Sequence, residues 1–159
     1  MTAAAVCAHI PEPMDLPLNT GPAASDAMDA GETPYRLRRP ARQTVPLVFA
    51  SPHSGRVYPL SFVASARLDA LALRRSEDSF VDELFAAAPG HGAPLLAASF
   101  PRVFCDVNRE PWELDPGMFE GPLPSWVNTA SPRVGAGLGT IARVVASGEP
   151  VYRHKLSFA

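Results

Sequence analysis

The feature that most constrains this chain is the short apolar run Val45-Pro46-Leu47-Val48-Phe49-Ala50, which stops on Ser51-Pro52-His53-Ser54-Gly55. An apolar stretch too short for a helix and closed by turn formers reads as a buried strand. His53 then stands just past the strand end, where open α/β sheets place their chemistry. Gly55 lets the backbone turn there without a Cβ clash. Alone, a histidine in a turn is an ordinary solvated residue. Its meaning depends on what the rest of the chain brings to it.

The remaining pattern alternates helical and strand-like stretches, which implies an α/β layer architecture. Tyr58-Pro59-Leu60-Ser61 opens a helical stretch to about Arg67, with Ser61 as a cap. A second helix is expected from Ser76, as N-cap, to about Ala88. Glu77 and Asp78 fall in its first turn and complement the helix dipole. Phe80, Val81, Leu84, Phe85 and Ala88 recur at a spacing that makes one apolar face. Pro89-Gly90-His91-Gly92 ends it.

Strands are expected over Pro94–Phe100 and Arg102–Val107, the second alternating Val103, Cys105 and Val107 with Phe104 and Asp106. Asn108 to Pro132 is a long proline-punctuated loop, a length that inside a domain usually signals function. Ile141–Ala146 and Val151–Leu156 are expected strands around a Gly148 turn. The glycines at 135, 137 and 139 lack G-x-G-x-x-G spacing and the frame of a phosphate cradle. Ser54 lacks the G-x-S-x-G elbow of a nucleophile. Cys105 reads as a small core residue.

The length of 159 residues suits one domain. A net charge of −2 without a basic stripe excludes nucleic acid as the main partner. Cys7 and Cys105 match no metal or redox spacing, which suits a reducing compartment. No apolar run approaches the ~20 residues of a membrane-crossing helix. Met1 to Pro34 has no Lys or Arg and several prolines, unlike a signal peptide. The expectation is a cytoplasmic protein with no membrane partner. Residues 1–42, rich in Ala, Pro, Gly and Asp, read as a disordered or loosely attached leader that includes the mildly basic Tyr35–Pro40. The folded domain is expected over 43–159.

The chemistry-bearing residues are His53, Glu77, Asp78, Arg102 and the run Asp106-Val107-Asn108-Arg109. A histidine and one of the carboxylates are two of the three protein ligands a catalytic zinc usually takes. Zinc activates water and polarises a carbonyl, although such ligands suit several divalent metals. One arginine can hold the developing oxyanion, and another, beside an asparagine, can take a substrate carboxylate by a bidentate pair. A different reading keeps the anion-binding residues Arg102, Asn108 and Arg109 without a metal centre, as a non-catalytic module for acidic amino acids.

Ser51-Pro52-His53-Ser54-Gly55-Arg56-Val57-Tyr58-Pro59, Arg75-Ser76-Glu77-Asp78 with Val81–Phe85, and Phe100-Pro101-Arg102 running into Asp106–Pro111 together resemble the N-formylglutamate amidohydrolase family. Glu113–Pro116 with Met118-Phe119, and Arg133-Val134 with Ala136–Gly139, extend the resemblance from Val45 to the end. It implies a phosphorylase/hydrolase-like fold, a mixed sheet flanked by helices, akin to zinc carboxypeptidases and aspartoacylase. It implies zinc-dependent cleavage of N-formyl-L-glutamate to formate and L-glutamate in histidine degradation, with another small N-acyl amino acid as the alternative substrate. By the same resemblance His53 is a metal ligand and the carboxylate ligand is Asp78 or Glu77, Asp78 being favoured. Arg102 faces the scissile carbonyl, Asn108 and Arg109 bind substrate carboxylate, and Asp106 orients the arginines. The family is longer, and its later part supplies a second metal-binding histidine and a general-base carboxylate. The chain is therefore expected to be the truncated N-terminal part of the domain, inactive alone, with the third metal ligand beyond residue 159.

Overall fold

A computed structural model describes residues 33–158, so most of the expected leader lies outside the described residues. The sheet is built on β3 (Leu95–Ala98), which lies between β1 (Tyr35–Arg38) and β2 (Phe49–Ser51). β2 runs parallel to β3, with Phe49 opposite Leu95 and Ser51 opposite Ala97. Parallel neighbours need a long crossover. Here the crossover carries α1 (Leu60–Ser65), α2 (Ala70–Leu73) and α3 (Val81–Leu84). The α/β class expected from the sequence is found, as a small mixed sheet with short helices.

β1 is antiparallel to β3, Tyr35 facing Ala98 and Arg38 facing Leu95. This corrects the reading of Tyr35–Pro40 as part of a loose leader. All four β1 residues are exposed, so no alternation of polarity betrays the strand. Its ladder to β3 holds it instead. One face of the sheet carries a groove of about 730 Å³ lined chiefly by apolar side chains such as Leu37, Val48, Leu96 and Val107.

The continuous helix expected from Ser76 to Ala88 is not formed. A 3-10 turn covers Arg74–Ser76, Glu77 is extended, and α-helix spans only Val81–Leu84. The cause is Phe80, whose φ of 65° lies in the left-handed region and cannot propagate a right-handed helix. The periodic apolar residues do not share a buried face either: Phe80 is 50% and Leu84 75% exposed, whereas Asp82 is buried. The Ser76 hydroxyl accepts from Ala146 N instead of capping a helix. Ser61 lies inside α1, whose N-cap Pro59 makes no side-chain bond. α2 is capped by Asp69, whose carboxylate accepts from Ala72 N at 2.8 Å.

Arg102–Val107 is likewise a turn and not a strand. Phe104 N and Cys105 N both donate to the Pro101 carbonyl, at 3.0 and 3.4 Å. Val103 is buried as an inward strand residue would be, which is why the alternation misleads. The expected strands at 141–146 and 151–156 contribute only isolated bridges, Leu138 to Ala142, Val144 to Pro150, Ala66 to Tyr152 and Phe119 to Leu156, around a Gly148 at φ 84°.

Two apolar clusters hold these segments. Phe62, Ala66, Leu73, Val103, Val145 and Val151 pack the crossover against the Pro101 turn and the C-terminal segment. Leu114, Met118, Phe119 and Val127 give the long loop a core of its own. Tyr152 packs against both clusters. Burying a side chain of this size contributes about 1.5–3 kcal/mol, enough for a loop with almost no regular structure to keep one conformation.

Candidate active site

The Pro101 turn brings Arg102 and Asp106, four positions apart, onto one side, and Asp106 N is fixed by donating to Thr140 O at 2.8 Å. The buried Asp106 carboxylate is the centre of the site. Its Oδ1 accepts from His53 Nε2 at 2.8 Å and from Asn108 N at 2.9 Å. Its Oδ2 accepts from Arg102 Nε at 3.0 Å and lies 3.4 Å from Arg109 Nη2. Burial pushes this carboxyl up, but the hydrogen bonds from His53 and Asn108 N and the charges of His53 and Arg102 outweigh it. The net result is a pKa lowered to about 2. Asp106 is thus an anion at neutral pH and there an acceptor only.

That acceptor fixes the histidine. With its Nε2 proton directed to Asp106, His53 turns Nδ1 toward Asp78 Oδ2, 3.3 Å away. The Asp78 segment is tied in by its own backbone, Asp78 N donating to His53 O at 3.0 Å. On the other side the His53 turn lies flat on β3's exit, with Val57 N donating to Ser99 O at 2.9 Å. A Cβ on Gly55 would fall 2.0 Å from the Phe100 carbonyl oxygen, so only glycine fits. The buried Ser51 and Ser54 hydroxyls satisfy each other at 2.6 Å.

Of the residues singled out from sequence, His53, Asp78, Arg102, Asn108 and Arg109 gather around Asp106. Glu77 does not join them. Its carboxylate accepts from Tyr58 Oη at 2.6 Å and Arg74 Nε at 3.0 Å, and its side chain is 1% exposed. Burial and that hydrogen bond push the Tyr58 phenol far above its ordinary range, so it stays a donor. Arg109 is present but occupied. Nε donates to Leu138 O, Nη1 to Asn108 O, and Nη2 faces Asp106, leaving the side chain 10% exposed. Arg102 commits only Nε to protein, and its terminal nitrogens have no acceptor among the described residues. Asn108 is exposed.

Sequence reasoning gave Asp106 the arginines and missed its bond to His53. The signal was available only as a carboxylate on the same face as Val103 or opposite it, and the turn decides which. Asp82 is buried between Arg36 at 3.3 Å and Arg56 at 3.7 Å. His91 and His154 are exposed. The Cys105 thiol, half-buried, is pushed up by burial.

The donor set fits part of a metal centre. With Nε2 donating its proton to Asp106, Nδ1 of His53 faces an Asp78 carboxylate oxygen, a juxtaposition that a cation or a proton between them would satisfy. A carboxylate behind a ligating histidine is also the usual support in zinc sites. Among the described residues, no group of three or more His, Cys, Asp or Glu side chains is gathered closely enough to hold a metal ion. His53 and Asp78 therefore offer two ligands.

The family model for N-formylglutamate amidohydrolase matches residues 45–159. The chain is also similar to the crystal structure of N-formylglutamate amidohydrolase from Ralstonia eutropha JMP134, at 40% sequence identity and a TM-score of 0.70 over 78% of its own length. That match covers 43% of the Ralstonia chain, so the present chain spans less than half of that relative. No curated protein matches it.

Proposed function

The chain belongs to the N-formylglutamate amidohydrolase family, and from that premise we propose that its Asp106-centred site serves hydrolysis of the amide bond of an N-acyl acidic amino acid. N-formyl-L-glutamate is the substrate we favour, with water adding its hydroxyl to the formyl carbon and its hydrogen to the departing amine. The products are formate and L-glutamate, as in histidine degradation. The sheet is taken as part of a phosphorylase/hydrolase-like architecture.

The observation that carries this reading is the pair of bonds on His53, Nε2 to Asp106 and Nδ1 toward Asp78. We assign His53 and Asp78 as ligands of a divalent metal, zinc being favoured, and take a third ligand from outside the described residues. A zinc ion bound there supplies Lewis-acid polarisation of the carbonyl and activation of water. Asp106 holds the imidazole tautomer and raises its basicity. Arg102, with its terminal nitrogens uncommitted, stabilises negative charge growing on the carbonyl oxygen. Asn108 donates to a substrate carboxylate. Arg109, engaged at every nitrogen, positions the Asn108 backbone and Asp106 and is reassigned from direct substrate binding. Glu77 becomes a support for Tyr58 and Arg74, not a ligand.

The test is formate release from N-formyl-L-glutamate by the protein that carries this sequence, supplied with zinc, against its His53→Ala variant. Loss of a ligand should exceed the 10–100-fold that loss of a supporting group costs, so a fall of more than about 100-fold is expected. Retention of full activity would remove the metal role. A second reading, a binding module for acidic amino acids, rests on the terminal nitrogens of Arg102, which have no acceptor among the described residues, and on the exposed Asn108. Calorimetric titration separates the two, since glutamate binding without zinc uptake supports the module.

A further inference from the structure

Away from the Asp106 centre, Met118, Arg143, Tyr152, Arg153, His154 and Lys155 line a pocket of about 240 Å³. None of them belongs to the cluster around His53. Its floor rests on packed residues, Met118 being buried in the loop core and Tyr152 packed against both cores.

Both arginines are oriented from behind. Arg143 Nε donates to Asp115 Oδ2 at 2.7 Å, while the other Asp115 oxygen accepts from Gly117 N at 2.8 Å. The guanidinium also lies close over Gly137, where a Cβ would come within 3.0 Å of Nη2. Arg153 Nε donates to the Ala66 carbonyl at 2.7 Å. Each guanidinium is thus held at Nε, and its terminal nitrogens have no acceptor among the described residues. Lys155 adds an ammonium that forms no ion pair among those residues. Three cations stand against one carboxylate, whose two oxygens already accept from Arg143 Nε and Gly117 N.

We propose that this pocket binds a phosphate group, as inorganic phosphate or as the phosphate of a small monoester. Two guanidinium forks approaching from different segments need an acceptor with more than two oxygens; a tetrahedral oxyanion has them, whereas a lone carboxylate fills one fork. The volume lies below the roughly 300–1,000 Å³ of pockets for larger ligands, which suits an anion of few heavy atoms.

Titration of the 159-residue chain with orthophosphate, and separately with glycerol 3-phosphate, tests this at constant ionic strength with chloride as the control anion. Saturable one-to-one binding is expected, with amide shifts confined to the segments around Asp115 and Arg143–Lys155. Binding should weaken at least about ten-fold in Arg153→Gln and in Lys155→Gln, the scale of one lost charge-assisted hydrogen bond. Lys155 is exposed and makes no ion pair, so its variant keeps the test valid if Arg153→Gln folds poorly. Tighter binding of glycerol 3-phosphate assigns a monoester, and equal or weaker binding assigns the free ion. Absence of saturation, equal response to chloride, or indifference to both substitutions overturns the proposal.

Discussion

Asp106 and Asp82 are both buried carboxylates flanked by two arginines, and they differ in how completely their oxygens are used. Each oxygen of Asp106 has two protein donors near it, one of them from a histidine. Asp82 shares one oxygen between Arg36 and Arg56 at longer distances, and its Oδ1 has no hydrogen-bond partner among the described residues. A buried charge is tolerable only when its lost hydration is replaced. Asp106 meets that condition with donors from its own turn and from His53, and its neighbours are positioned by it. Asp82 meets it in part and leans on an exposed Arg36 and a half-buried Arg56. The contrast separates a carboxylate that organises a site from one that ties an edge strand to a helix.

The largest expected effect is that of Asp106→Ala, which strands His53, Arg102 and Arg109 at once. Loss of one partner from a buried ion pair costs about 3–5 kcal/mol, and urea denaturation at neutral pH should show a loss in that range. A loss below about 1 kcal/mol would place Asp106 in the same class as Asp82.

Acid titration sharpens the same difference. The Asp106 pKa is lowered to about 2 in the folded chain, against an ordinary aspartate value near ~3.9 when unfolded. Its contribution is therefore fully present above the unfolded value and is lost as pH falls through the folded one. About 2 kcal/mol of stability should disappear between roughly pH 5 and pH 2. The slope should flatten in Asp106→Asn and persist in Asp82→Asn; the reverse result would contradict the assignment.

Asp82→Asn itself should cost about 1 kcal/mol or less, because the ion pairs it loses are long and reach an exposed Arg36 and a half-buried Arg56. The smallest effect is expected from Glu149→Gln, which breaks a surface pair with Arg75. Its loss should stay within about 0.5 kcal/mol in denaturant midpoints and sets the baseline for removing charge without burial.

What the sequence revealed follows from where the information is local. His53 after a strand, the helix-start acids and the Asp106–Arg109 run are short motifs, and five of the six site residues assigned from them do converge. The choice between Glu77 and Asp78, in which the resemblance favoured Asp78, turns on contacts distant in sequence: Tyr58 and Arg74 engage the Glu77 carboxylate, and Asp78 faces His53. The apolar spacing of Phe80–Ala88 resembled a helix because periodicity is blind to a single left-handed residue. β1 was unreadable for the opposite reason: it has no buried side at all, and only a distant segment, Leu95–Ala98, makes it a strand.

Gly55 gives the site one more property. Because the His53 turn rests on the carbonyl of Phe100 with no side chain between them, the gap from imidazole to Arg102 is gauged by the thickness of the main chain. Side-chain exchange at Arg56, Val57 or Phe100 can alter what surrounds the reacting groups without resetting that gauge. A single methyl at position 55 would push the His53 turn away from Phe100 and so from Arg102, with every named side chain unchanged.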